Sequence, residues 1–302
     1  MKARFLMIPI LLVTASCQQE MDTPDPVVKP EEGSACSTFT LTIQASKGTE
    51  TRALDLEGNE LKPYWKDDDV VNVYKNGSLL GTIAVQCTGE KPTSATLTGT
   101  MTGTLPEKGD ELTLLIPRET WSYTGQNGVL TGTGSIEDAF DYATATVTVS
   151  AVEEHDNVTT VTTTAASFEN QQSIYRFTFS DVIFNVEDFT IAAAEGGLVQ
   201  QKAWGDLTET TGSITVKPTQ PEASANPFFV AIRNNTTTKA DTYHFIVIGT
   251  VNDTPGALLL GSKTIPAAVL ATPGKFVSGT IHVSQPSFAP VSGNINSAED
   301  VF

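Results

Sequence analysis

The chain has 302 residues, a formal net charge of −17 and 39% apolar residues. The length points to about two domains, and the acidic balance sets the surface against phosphate backbones, so nucleic acid is not an expected partner. Three cysteines are too few for a disulfide scaffold, and His155, His244 and His282 stand far apart with neither CxxC nor HExxH spacing, so no zinc site is expected.

In chain order, the first element is a leader. Lys2 and Arg4 precede the apolar run from Phe5 to Val13, which is too short for the roughly 20 residues that span a bilayer. Thr14, Ala15 and Ser16 are small, and Cys17 follows. This pattern predicts a signal peptide over residues 1–16. The placement of Cys17 resembles the lipobox of bacterial lipoproteins, with Thr14 where that pattern usually has leucine. The resemblance implies that Cys17 becomes the first mature residue and carries lipid, anchoring the chain to the outer membrane. Several acyl chains hold stably where one does not. Residues 17–35 read as a tether, with Pro24, Pro26 and Pro30, an acidic bias and no apolar periodicity. An acidic stretch directly after such a cysteine resembles the surface-export signal of Bacteroidetes lipoproteins.

The rest reads as all-β. Phe39, Leu41 and Ile43 alternate with threonines, which predicts a half-buried strand over 38–43. The polar stretch from Gln44 to Leu61 is expected as a loop, and Arg52, one of only five arginines, sits in it. Val71 and Val73 alternate, and Asn76-Gly77 predicts a hairpin turn. Strand patterns continue to Val152, with one helical turn or two expected in the segment IEDAFDYATA. The polar segment 153–170 is the expected boundary, giving domains over 36–158 and 159–302. Strands are expected in SIYRFTFSDVIF, DFTIAAAEGG, GSITVKP, PFFVAIRNN, TYHFIVIGTV and KFVSGTIHV, followed by a C-terminal extension. Many short strands with turn residues between them indicate sandwiches.

Motifs that carry chemistry are missing. There is no GxSxG elbow and no phosphate-binding GxxxxGK[ST]. The run Lys66 to Asp69 reads as a solvated turn or as a calcium loop, although three consecutive carboxylates do not match the alternate positions such a loop uses. Trp65, Trp121 and Trp204 read as core or as a sugar-stacking platform. No catalytic residue, metal or cofactor is expected, and the reading is non-enzymatic.

The order of pieces carries a family resemblance: the lipobox cysteine, the acidic tether, FTLTI, TETRAL, then Trp65, Asp69, Val71, Val73 and Tyr74, and later FDYATATVTV and SIYRFTF. It resembles the fimbrillins of Bacteroidetes, the subunits of type V pili, and their lipoprotein relatives. The resemblance implies two tandem transthyretin-like β-sandwiches, and a precursor cut after an arginine in an early loop. The first strand then leaves with its lipid, and a neighbouring subunit's strand fills the groove. Mapped here, it implies processing at Arg52 and a removable strand at 38–43. Arg176 and Arg233 lie within or at the ends of strand patterns, and Arg118 follows a strand and a proline.

The implied partners are other fimbrial subunits, the same or different, the outer membrane through the lipid, and host or bacterial surface ligands. The tail from Ser284 has thin apolar content for a donor strand, and it reads equally as a closing strand or a tail. Cys36 and Cys87 are expected either to pair, which would hold the first strand on after cleavage, or to be free. The alternative from another class is a surface glycan-binding lipoprotein of a nutrient-uptake system. A hydrolase built on a sandwich is a third reading, and a pocket holding two carboxylates about 5 to 10 Å apart would favour it.

Overall fold

The structure is a computed structural model that describes residues 36–47, 54–57, 60–67, 69–117, 120–203, 208–235, 239–271 and 273–286. It is almost entirely β. In chain order the first half contains β1 (Cys36–Lys47), β2 (Leu54–Glu57), β3 (Glu60–Pro63), β4 (Val70–Lys75), β5 (Ser78–Ala84), β6 (Ser94–Thr104), β7 (Glu111–Ile116), β8 (Thr120–Ser122), β9 (Ala143–His155), β10 (Val158–Thr163) and β11 (Ala166–Asn170). The second half contains β12 (Ser173–Ser180), β13 (Asn185–Ala193), β14 (Leu198–Ala203), β15 (Thr208–Thr211), β16 (Ser213–Val216), β17 (Glu222–Ala223), β18 (Phe228–Ile232), β19 (Asp241–Val251), β20 (Thr254–Ile265) and β21 (Phe276–Ser284). One helical turn, Ile136–Phe140, and a short helix α1, Ala267–Leu270, interrupt them.

Two large sheets result, each of eight strands. In the first, β1 lies between β6 on one side and β10 followed by β11 on the other; β9, β7, β4 and β5 continue beyond these. The sheet curls so that its end strands β5 and β6 meet. A Cβ on Gly99 would stand 2.9 Å from Ile83 Cγ1, so the approach requires glycine there. The second sheet runs β16, β13, β19, β20, β21, β12, β18, with β17 beside β13. The β4–β5 hairpin turns on Asn76 and Gly77, both at positive φ as the sequence predicts.

Alternation explains the packing. In β1, Phe39, Leu41, Ile43 and Ala45 are buried while the residues between them face outward. On the outer faces threonines pair across strands: Thr42 with Thr98, Thr190 with Thr215, Thr242 with Thr264. That pairing accounts for a threonine-rich chain with ordinary cores. Residues 120–142 leave the first sheet between β7 and β9 and pack on second-sheet strands. There the Gln126 side chain donates to Ala231 O and accepts from Ala231 N on β18, while β8 joins β14 and β15 in a separate three-stranded sheet. Trp121, Tyr123, Phe140 and Tyr142 share a buried cluster with Tyr175, Phe177 and Phe245.

The polar segment 153–170 forms strands. β10 pairs antiparallel with β9 through a tight hairpin, Val158 opposite His155, so the expected division between 158 and 159 falls inside that hairpin. The membership of strands changes from the first sheet to the second between Asn170 and Ser173. Polarity misleads here because threonine is β-branched and fits a pleated surface, while Val161, Ala166 and Phe168 supply the inward face.

Candidate functional site

β1 forms the candidate site as a whole strand. It runs antiparallel to β6 from Cys36 opposite Thr104 to Ser46 opposite Ser94. On its other edge it runs parallel to β10 at Thr40–Thr42 and to β11 at Ala45–Lys47. Both backbone edges are therefore engaged, and one face is inside the core. Phe39, Leu41, Ile43 and Ala45 pack with Leu97, Met101, Leu112, Leu114, Val147 and Val161. Burying each large apolar side chain contributes about 1.5–3 kcal/mol.

The strand continues four residues past the expected end at Ile43. Two contacts explain this. Ala45 fits between Ala95 and Ala166. Lys47 turns inward and is 6% exposed. Its ammonium lies 2.9 Å from Asp69 Oδ2, donates to Tyr64 O, and stands 4.5 Å from the centre of the Trp65 ring. Asp69 in turn accepts from Lys66 N at 3.1 Å. The Trp65 ring meets Phe168 edge-on at 5.6 Å. A buried charge is tolerated where it is paired and further hydrogen-bonded, and the face of an indole adds attraction for an ammonium.

This arrangement decides among the alternatives the sequence leaves open, and it sets Asp69 apart from the exposed Asp67 in the same turn. Asp69 is neither part of a solvated turn nor a calcium ligand candidate, since its carboxylate is buried against Lys47. Asp67 accepts from the Cys87 backbone N–H at 2.6 Å. Among the described residues, no group of three or more His, Cys, Asp or Glu could hold a metal. Trp65 and Trp121 are core, 1% and 2% exposed, and so form no exposed platform; Trp204 lies outside the described residues. The spacing from Trp65 to Asp69 was visible in the sequence, but its partner Lys47 was not. A lysine at an inward position of an alternating strand is the signal that points to a buried acid.

Cys17 and Arg52 both lie outside the described residues, as do Arg118 and residues 287–302. Arg52 falls between β1 and β2 in the chain. Arg176 lies within β12, and Arg233 donates to Gln171 O and, at 2.8 Å, to Gln171 Oε1. Cys36 and Cys87 are both free, the first exposed and the second half-buried. Burial, then Asp67 and Asp69 nearby, push the Cys87 thiol above its ordinary range.

No protein-family model matches the chain, and neither does any curated protein. Several solved structures are similar to it. One is a proposed cell adhesion protein from Bacteroides fragilis, 13% identical over 85% of this chain and 100% of that one, with a TM-score of 0.42. A second, from Bacteroides eggerthii and described in the same terms, is 12% identical over 81% of this chain and 86% of that one, with a TM-score of 0.41. A third is a fimbrial assembly protein from Parabacteroides distasonis, 11% identical over 82% and 91%, with a TM-score of 0.36.

Proposed function

We propose that this protein is a non-enzymatic subunit of a cell-surface fimbria, exported as a lipoprotein through Cys17 and assembled by strand replacement after cleavage at Arg52. One observation carries the reading. β1 is a complete strand, bonded along both edges and buried on one face, at the start of the described chain and directly before the segment that holds Arg52. A cut after Arg52 leaves β1 joined to the lipid-bearing end and no longer joined to the rest. Losing it strips backbone partners from β6, β10 and β11 and uncovers the apolar positions of their core. A strand from another chain repairs both losses at once, through main-chain bonds for affinity and alternate side chains for specificity.

The test uses the producing cells. Fibres sheared from their surface are expected to contain this chain beginning at Ala53. An Arg52→Ala variant is expected to stay in the membrane fraction at full length, and Cys17→Ala to be lost from the surface. Equal recovery of the Arg52→Ala chain in fibres would overturn the cleavage step.

A further inference from the structure

We propose that the cavity beside Arg233, where the chain passes from the first large sheet to the second, binds a carboxylate-bearing sugar of the hexuronic acid kind. No residue of β1 lines it, so the proposal stands apart from strand replacement. The cavity has a volume of about 260 Å³, which suits a single sugar ring better than a larger ligand. Its polar lining is Gln171, Ser173, Arg233, Asn234 and Asn235, and Leu270 and Pro273 add apolar surface. Among the described residues, Arg233 is the one charged side chain in this lining, and no carboxylate belongs to it.

The donors of this cavity are held in place by the fold. Arg233 follows the last residue of β18, and its carbonyl accepts from Val199 N. Arg233 Nη1 donates to Gln171 O and, at 2.8 Å, to Gln171 Oε1. Its Nη2 and Nε take no part in that anchoring, and the Tyr123 hydroxyl is a neighbouring polar group. Gln172, also in the lining, is buried; it donates to Asp141 Oδ1 and accepts from Tyr142 N. Asn234 Oδ1 accepts from the Tyr243 hydroxyl, so its Nδ2 remains as the donor. Asn235 is exposed. A guanidinium and two amides thus offer donors on groups already fixed, which lowers the ordering cost of binding.

Charge selects the ligand class. The chain has 35 acidic residues against 18 lysines and arginines, so a cation with no acid beside it stands out. Neither Arg233 nor Lys202 forms an ion pair among the described residues. Lys202 lies on β14, with its ammonium 5.6 Å from the centre of the Trp121 ring. Burial, and then the Arg233 guanidinium, push that ammonium below its ordinary range. Two cations that repel each other and lack an acid make the surroundings of the cavity positive, and a bound carboxylate relieves the repulsion. The planar guanidinium fork matches a carboxylate in particular. A carboxylate alone would leave the Asn234 and Asn235 amides unused. The hydroxyls of a sugar ring accept from them, and Leu270 and Pro273 suit its C–H surface.

The test is saturation-transfer NMR on the full chain in detergent, with D-glucuronate, D-glucose, acetate and the peptide Gly-Glu-Gly offered singly at millimolar concentration. D-Glucuronate is expected to bind, and D-glucose, acetate and the peptide each to bind at least about tenfold more weakly. Arg233→Met is expected to weaken D-glucuronate by about tenfold or more, and Arg233→Lys to keep only part of the affinity because an ammonium lacks the fork. Asn235→Ala, at an exposed position, is expected to weaken it by about two- to fivefold. If Arg233→Met does not fold, Asn235→Ala and the four ligands on the unaltered chain still decide. Equal binding of D-glucose and D-glucuronate, or no loss in Arg233→Met, overturns carboxylate recognition at Arg233. Acetate or Gly-Glu-Gly binding as tightly as D-glucuronate overturns the sugar as ligand and favours an acidic peptide. Absence of D-glucuronate binding at millimolar concentration overturns the site altogether.

Discussion

Lys47 Nζ and Asp69 Oδ2 lie 2.9 Å apart inside the protein, with the lysine side chain fully enclosed, and this pair ties the last residue of β1 to the turn that leads into β4. The turn itself is closed by Asp69 N donating to Lys66 O, and Asp69 O receives Val85 N from the end of the β4–β5 hairpin. The strand that the proposed mechanism removes is thus pinned at its final inward position to elements that stay.

Removing one member of that pair is expected to be costly. Lys47→Met or Asp69→Asn should each destabilise the chain by about 3–5 kcal/mol, since each removes one member of a buried, hydrogen-bonded ion pair. The double variant should lose less than the sum, with a coupling of about 1–3 kcal/mol in a urea-unfolding cycle. Additive losses would mean that the pair is not coupled.

The two faces of β1 should respond differently. Leu41 is fully buried, and Leu41→Ala is expected to cost about 2–5 kcal/mol by opening a cavity. Thr42 faces outward next to Thr98, and Thr42→Ala should stay within about 0.5 kcal/mol. Equal effects would show that β1 does not present one face to the core.

In the second sheet, Gly249 stands where β19 passes Asn185. A Cβ there would lie 2.5 Å from Asn185 O, a backbone atom, and 2.8 Å from Phe184 Cδ2. Gly249→Ala is therefore expected to destabilise by about 1–3 kcal/mol. Gly212→Ala, where nothing lies within 4 Å, should be close to neutral in the same thermal melt.

The Lys75–Asp110 pair gives a pH signature. The Lys75 ammonium, donating to Asp110, and then the Glu107 N–H hold the Asp110 carboxyl below the usual carboxylate range. The folded chain binds that proton less readily than the unfolded one. The stabilisation is present above about pH 3.9, the unfolded value, and is lost as pH falls through the lowered folded one. Asp110 is largely solvated, so the difference between the native chain and Lys75→Met should be at most about 1 kcal/mol at pH 7. It should shrink further at acid pH in urea titrations.

The all-β class, the Asn76-Gly77 hairpin, the strand at Phe39–Ile43 and a helical turn near Ile136 were legible in the sequence because each depends on local pattern. The end of β1 was not, because Lys47 is inward only by virtue of Asp69, which is distant in sequence. The strands β10 and β11 look like a boundary in the sequence because threonine is polar and yet forms strands. β20 is not legible in the sequence because Gly256 and Gly261 interrupt its pattern; Gly261 is there because a Cβ would come within 2.7 Å of His282 O. Of the candidate site, the Trp65-to-Asp69 spacing was visible, but its meaning required the tertiary contact. The roles of Cys17 and Arg52 are implied by the family resemblance, since no local pattern around either residue specifies its chemistry.

The measurement that bears most directly on the central claim is arginine-specific digestion of the full chain in detergent, read by N-terminal mass mapping and native sizing. Cys36 serves as a label on the departing peptide, since it is exposed and lies ahead of the cut. The account predicts one early cut, a resistant core beginning at Ala53, loss of the labelled peptide, and larger species once a subunit carrying a replacement strand is supplied. A chain that resists cleavage at Arg52, or that is cut and stays monomeric with its labelled strand in place when such a strand is present in excess, would contradict it.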